Sequence, residues 1–282
     1  MNNLKLINNK KTLHNRLSKV FDTPNKKAFI AFLTAGDPDA DSTVSFILDM
    51  EAAGADLIEI GIPFSDPTAE GKVIQEANIR ALKNGMTTDG VFDIVRKVRE
   101  RSQVPLVFMT YLNPVFYYGY DRFFTRCEEL SVDGIIIPDL PFEEKEEVAL
   151  PAAAHNVSLI SMIAPTSESR IRRIASQAEG FLYVVSSMGV TGVRSEITTD
   201  LSSMIANIRK ETDVPCAIGF GISTPAQAAD MAALSDGSIV GSAIVKIIAR
   251  YGKEANEELK TYVSAMKDAI FLLTPMNSYN II

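Results

Sequence analysis

Short apolar runs, rich in β-branched residues, alternate along this chain with longer stretches in which apolar positions recur every three or four residues. The short runs fall at 29–33, 57–60, 106–110, 134–137, 158–163, 181–185, 216–219 and 238–240, eight in all. Apolar runs of about four to six residues, without polar alternation, describe strands covered on both faces, as in a parallel sheet. The stretches between them read as helices. Val44, Ile47 and Leu48 share one face of 41–53, which Gly54 closes. After Asp89, residues Val91, Ile94, Val95 and Val98 follow the i, i+3, i+4, i+7 spacing of an amphipathic helix. The same reasoning predicts helices over 121–130, 143–154, 167–177, 199–210, 225–234 and 242–250. A leading amphipathic helix within 1–27 and another over 254–270 exceed an eightfold plan. Eight β/α units within about 250 residues predict a single α/β domain, a (β/α)8 TIM barrel with extra N-terminal and C-terminal helices. The turn after the first run, Thr34-Ala35-Gly36-Asp37-Pro38, lacks the glycine fingerprint of an open dinucleotide-binding sheet. No composition break divides residues 1–282, and 271–282, with Pro275, reads as an irregular tail.

Composition removes several function classes. At 46% hydrophobic residues the chain has ample material for one large core, so the barrel needs no second domain to be stable. The net charge is −7, and no Lys/Arg stripe supplies the basic face that a nucleic-acid binder needs. The early basic residues Lys10, Lys11, Arg16, Lys19, Lys26 and Lys27 are interrupted by Leu13, Leu17, Val20 and Phe21, as in an amphipathic helix. No apolar run approaches the ~20 residues of a membrane span, and no signal-peptide core follows Met1. A soluble, cytoplasmic protein is expected. Cys127 and Cys216 read as buried thiols, one on a helix and one in an apolar strand. His14 and His155 have no histidine or cysteine at ligand spacing and adjoin no nucleophile motif, so neither a metal site nor a Ser/His system is expected.

Barrel chemistry sits at the C-terminal ends of strands. Glu59 lies inside the second apolar run, where a carboxylate is costly unless paired or useful. Burial would lift its pKa into the range of a proton shuttle. The following Pro63-Phe64-Ser65-Asp66-Pro67-Thr68-Ala69-Glu70-Gly71 is rigid at its start and brings further acids, of which Asp66 reads as a loop hydrogen-bonder. Late strand ends supply an anion site. Gly219-Phe220-Gly221-Ile222-Ser223 follows the seventh run, and Gly241-Ser242 follows the eighth and opens a helix. Glycines let backbone amides approach a phosphate, and helix N-termini favour negative charge. Gly189-Val190-Thr191-Gly192 after the sixth run adds a third wall and a candidate lid.

The segments 59–75, Met109-Thr110-Tyr111-Leu112-Asn113-Pro114, Pro138-Asp139-Leu140-Pro141, 186–192, 219–223 and 241–246 together resemble the tryptophan synthase alpha chain family. The resemblance runs from roughly 10 to 270, and its Pro-Phe-Ser-Asp-Pro loop with an upstream glutamate is its most specific part. It implies cleavage of indole-3-glycerol phosphate to indole and glyceraldehyde 3-phosphate, with no cofactor in this chain. It also implies an α2β2 assembly in which a β chain carries pyridoxal phosphate and receives the indole. Glu59 takes the role of proton shuttle at indole C3 and the glycerol hydroxyl. Glu70 takes that of hydrogen-bond acceptor for the ring N–H. Tyr183 stands in the family's site, either bonding the substrate or Glu59 or serving as a barrel aromatic. Phe32 and Met109 read as pocket wall, and Thr34, Tyr111, Asp139 and Thr191 as polar groups positioning substrate and loop. Gly192, Gly219, Gly221, Gly241 and Ser242 are implied phosphate contacts.

Two positions depart from the family's usual pattern: Glu70 stands where it most often has aspartate, and Lys72 where it has proline. Lys72 raises a Schiff-base aldolase as an alternative, although a lysine just past the loop reads as exposed and no predicted strand contains a lysine. Two further readings remain: a regulatory α-like subunit that binds phosphate and activates a β chain, and a phosphosugar isomerase on the same barrel. The isomerase would need a second acid/base on an opposing strand, which the sequence lacks.

Overall fold

The computed structural model describes residues 16–23, 26–186, 200–219 and 221–271. Among the described residues nine short strands form one parallel sheet: β1 (Ala28–Thr34), β2 (Leu57–Gly61), β3 (Leu106–Met109), β4 (Gly134–Ile136), β5 (Ser158–Leu159), β6 (Ser161–Ile163), β7 (Leu182–Val185), β8 (Cys216–Gly219) and β9 (Gly237–Val240). Their order is β5-β4-β3-β2-β1-β9-β8-β7-β6. The two ends of that order, β5 and β6, are halves of the single predicted run 158–163. Its lower half pairs with β4 and its upper half with β7, and Ile160 between them donates its N–H to Ile135 O at 2.9 Å. A strand that changes partner midway closes the ring, so the eight predicted strands make the barrel and one of them is counted twice.

A short helix α1 (Leu17–Phe21) precedes the barrel, and helices cover its outside: α2 (Ala40–Ala52), α3 (Lys72–Lys83), α4 (Thr88–Arg99), α5 (Leu112–Tyr118), α6 (Tyr120–Glu129), α7 (Glu146–Ala154), α8 (Glu168–Ala175), α9 (Leu201–Arg209), α10 (Pro225–Leu234), α11 (Ser242–Tyr251) and α12 (Asn256–Phe271). Two of these, α3 and α5, go beyond the sequence reading. The buried face of α3 is Ile74, Ala77, Asn78 and Ala81, too small and too polar to stand out as an apolar stripe. In α5 the large residues Phe116 and Tyr117 are exposed, which erases the amphipathic pattern. The predicted leading helix is represented by α1; His14 and the rest of 1–15 lie outside the described residues, as do 272–282 of the predicted tail.

Alternation along the strands sorts the core. Phe29, Ala31 and Leu33, Ile58 and Ile60, and Leu106 and Phe108 point outward and pack under the helices. Ala28 and Ile30, Leu57, Val107, Ile136, Ile160, Tyr183, Ala217 and Ile239 point into the barrel. Leu17 and Val20 of α1 join that inner cluster, so the leading helix plugs the N-terminal mouth. Cys127 and Cys216 are both buried free thiols. No helix among the described residues is long and apolar enough to cross a membrane.

At the plugged end Asp133, 1% exposed, ties three elements together. Its carboxylate accepts from the backbone N–H groups of Arg16 and Leu106, each at 2.9 Å, and pairs with the guanidinium groups of Arg16 and Arg99. Removing one partner of such a buried set leaves charges and donors unanswered. Asp133→Ala should therefore cost roughly 3 kcal/mol in urea unfolding while leaving KM and kcat within about twofold, because the opposite end of the barrel is untouched.

Candidate active site

Strand parity decides where Glu59 points. In β2 the residues Ile58 and Ile60 face the helices, so Leu57 and Glu59 face the interior. Glu59 is fully buried, and neither carboxylate oxygen has a hydrogen-bond partner among the described residues. Loss of hydration penalises its charged form and pushes its pKa up to about 8. It opens on a cavity at the C-terminal end of the barrel, lined by Phe32, Glu59, Ala69, Glu70, Ile74, Met109, Pro138, Met162, Tyr183, Gly221, Ile222, Ile239, Gly241 and Ser242.

Glu70 reaches the same cavity from the loop between β2 and α3. Three contacts fix that loop. Ala69 donates its N–H to the Tyr111 hydroxyl at 3.0 Å, Gln75 Nε2 donates to Glu70 O at 2.8 Å, and Asn78 Nδ2 donates to Glu70 Oε2 at 2.7 Å. The Phe64 ring lies 5.5 Å from that of Tyr111, which buttresses the start of the loop. Desolvation pushes Glu70 up to about 7, and the Asn78 N–H, by favouring the carboxylate, holds the rise in check. Asp66 accepts from the Ser65 hydroxyl and stays at the surface, as its reading as a loop hydrogen-bonder expects. Lys72 projects outward at 87% side-chain exposure with Glu76 at 3.8 Å, so no amine from α3 enters the cavity.

Beside Glu59 the walls are aromatic rings packed on glycines. Tyr183 is buried, and its pKa lies well above the ordinary value because of desolvation first and the nearby Glu59 second. Its hydroxyl occupies the space that a side chain at Gly219 would need: a Cβ there would lie 2.5 Å from Tyr183 Oη. The Phe32 ring fills a slot between two other glycines. A Cβ on Gly61 would come within 2.8 Å of Phe32 Cζ, and one on Gly241 within 3.2 Å of Cδ1. Gly219 and Gly241 thus serve packing as well as any anion.

Gly221, Ile222, Gly241 and Ser242 line the part of the cavity that follows β8 and β9. Gly221 takes φ +78°, a conformation that glycine adopts freely and L side chains rarely. Gly241 is the N-cap of α11 and no side chain caps that helix. Its first N–H groups have no side-chain acceptor among the described residues, and Gly241 and Ser242 line the cavity, an arrangement that favours an anion. Ser223 and Thr224 differ, because their N–H groups donate to Gln227 Oε1.

Of the residues expected from sequence, Phe32, Glu59, Glu70, Met109, Tyr183, Gly221, Gly241 and Ser242 line this one cavity. Gly219 stands just behind it, under Tyr183. Tyr111 stands behind the loop as its anchor. Asp139 lies in a neighbouring groove, where its carboxylate accepts the Leu112 N–H at 2.9 Å. Thr34 is buried at the end of β1, its hydroxyl without a partner among the described residues, and is not among the cavity-lining residues. Thr191 and Gly192 lie outside the described residues. Ala69, Ile74, Pro138, Met162, Ile222 and Ile239 complete the lining unforeseen. Strand parity could have supplied Met162 and Ile239; the rest lie within quoted motifs but carry no chemistry that marks them as lining. Among the described residues no group of three or more His, Cys, Asp or Glu side chains is placed to hold a metal.

Comparison with known proteins places the chain in a family. The sequence profile of the tryptophan synthase alpha chain family matches residues 19–271. The tryptophan synthase alpha chain of Lactiplantibacillus plantarum is 50% identical over 247 residues, covering 87% of this chain and 93% of that one. That of Lacticaseibacillus casei is 47% identical over 258 residues, covering 92% and 96%. The crystal structure of tryptophan synthase alpha chain from Legionella pneumophila superposes with a TM-score of 0.83 at 36% identity, covering 93% of this chain and 99% of that one. A chain from the tryptophan synthase α2β2 complex of Pyrococcus furiosus superposes with a TM-score of 0.79 at 37% identity, covering 86% and 98%. The chain belongs to the tryptophan synthase alpha chain family.

Proposed function

We propose that this chain cleaves indole-3-glycerol phosphate to indole and glyceraldehyde 3-phosphate, using Glu59 and Glu70 and no cofactor of its own. It does so as the α subunit of a cytoplasmic α2β2 assembly whose β chain carries pyridoxal phosphate and takes the indole. The observation that carries the reading is one cavity with two carboxyl groups of raised pKa at one side and uncapped helix N–H groups at another.

The reaction asks for three things. A proton must reach indole C3, the positive charge this places on the ring nitrogen must be relieved, and the glycerol hydroxyl must give up its proton as the C–C bond breaks. Glu59, held neutral by burial, donates the first proton. Glu70 as carboxylate accepts a hydrogen bond from the ring N–H. Glu59, now charged, takes the hydroxyl proton as the carbonyl of glyceraldehyde 3-phosphate forms, and the bonding electrons return to the indole ring. Glu59 ends as it began. Backbone amides at Gly221, Gly241 and Ser242, with Gly192 and Gly219 as further candidates, hold the phosphate, so its charge is spent on orientation. Phe32, Met109 and Tyr183 form the wall against the indole, Tyr111 positions the loop, Asp139 holds the Leu112 N–H beside Tyr111, and Thr191 is a further candidate for the substrate.

The two raised pKa values fix a pH dependence. Glu70 must be charged, so activity falls as pH drops through about 7. Glu59 must begin protonated, so activity falls as pH rises through about 8. The profile of kcat/KM should be a narrow bell between these limbs, since kcat/KM reports groups of the free enzyme. Glu70→Gln should lower kcat/KM about 10- to 100-fold and remove the acidic limb. An unaltered rate and profile in Glu70→Gln would defeat the assignment.

A further inference from the structure

Resting on the role just given to Glu70, we propose that Asn78 is a positioning residue: its side-chain amide holds Glu70 charged and aimed, leaving Oε1 for the substrate's ring N–H. The argument begins with where Asn78 sits. It is the one polar residue on the buried face of α3, 4% exposed, beside Ile74, Ala77 and Ala81. Asparagine is a poor helix former, and a buried amide is costly unless bonded. That cost is offset by the hydrogen bond from Nδ2 to Glu70 Oε2 at 2.7 Å. A neutral donor bonded to a carboxylate stabilises the charged form over the neutral one. The contact also uses one carboxylate oxygen and not the other.

The backbone of the loop is held separately, by Gln75 on Glu70 O and by Tyr111 on Ala69 N–H. Loss of Asn78 should free the carboxyl without freeing the loop. This distinction matters here because Glu70 is one methylene longer than the family's usual aspartate, and a longer acid has an additional torsion to fix. The titratable groups around it are Tyr111 from the segment after β3, with Glu59 and Tyr183 lining the same cavity. Lys72 of α3 is turned to solvent.

The test uses the full chain as Asn78→Ala and as Asn78→Leu, the second keeping side-chain volume if the first folds poorly. Both should lower kcat/KM about tenfold and move the acidic limb of its profile up by about one pH unit, with affinity for glycerol 3-phosphate unchanged. In chain carrying 13C-labelled glutamate, the Glu70 carboxyl resonance should titrate at correspondingly higher pH, a readout that needs no turnover. In a Glu70→Gln background the Asn78 substitutions should add less than about twofold, because their effect passes through the carboxylate. Equal losses in both backgrounds, or an unmoved Glu70 titration, would overturn the positioning role. Wild-type turnover in Glu70→Gln alone would instead remove the reading of the site on which it rests.

Discussion

Glu59→Gln should release indole at least about 10²- to 10⁴-fold more slowly than the native chain, and should nevertheless be the more stable protein. Loss of rate follows from removing the group proposed to move protons at C3 and the hydroxyl. Gain of stability follows from linkage. The ordinary glutamate value is 4.5 and burial raises it to about 8, so the folded chain binds this proton more tightly than the unfolded chain does. The stabilisation from holding the proton is complete below pH 4.5 and is lost progressively as pH rises towards 8. A glutamine does not titrate and escapes this loss. At pH 7 the difference spans about 2.5 units, or roughly 3 kcal/mol in favour of the variant. Urea unfolding of both proteins at pH 4.5 and pH 7 measures it: near equality at the lower pH, a stabler variant at the higher. Glycerol 3-phosphate affinity should stay within a few fold, since the proposed phosphate contacts come from other elements. A variant that unfolds more easily at pH 7, or binds phosphate ligands poorly, would mark Glu59 as a structural group.

Gly219→Ala should be almost as damaging to activity by a steric route. The added Cβ would fall 2.5 Å from Tyr183 Oη and 2.7 Å from both Cε1 and Cζ, distances that no real Cβ tolerates. Tyr183 cannot yield without moving from the cavity wall beside Glu59. Overpacking of this kind costs about 1–3 kcal/mol, and a displacement of ~1 Å at a reacting centre costs ~10²-fold in rate. Tyr183→Phe in the same chain should restore only part of the loss, because removing the hydroxyl relieves the shortest contact and leaves ring carbon Cζ at 2.7 Å. Full activity in Gly219→Ala would show that the tyrosine can turn away at no cost and that it does not shape the site.

Legibility differed between parts of the site for physical reasons. Glu59 was readable because a carboxylate inside an apolar strand violates the pattern around it. The glycines at 219, 221 and 241 were readable as strand-end residues, but the sequence could not say that Gly241 also makes room for Phe32 and Gly219 for Tyr183. Those contacts join residues from β1, β7, β8 and the loop after β9, and only the closed barrel brings them together. Asn78 was invisible because an amide on an amphipathic helix carries no signature until its partner is known. Tyr111 and Asp139 were placed near the site, yet local sequence does not separate a residue that lines a cavity from one that braces its rim. The strands were read well because each is a short apolar run. The helices α3 and α5 escaped because the one buries small residues and an amide and the other exposes its aromatics.

Single-turnover release of indole tests the central assignment most directly. With the chain in excess over indole-3-glycerol phosphate, at a pH between the two limbs, one indole should form per substrate. A β chain should quicken its appearance, and Glu59→Gln should nearly abolish it. Binding of the phosphate ligand with no indole formed, alone or with a β chain, would contradict the account and leave a phosphate-sensing regulatory subunit in its place.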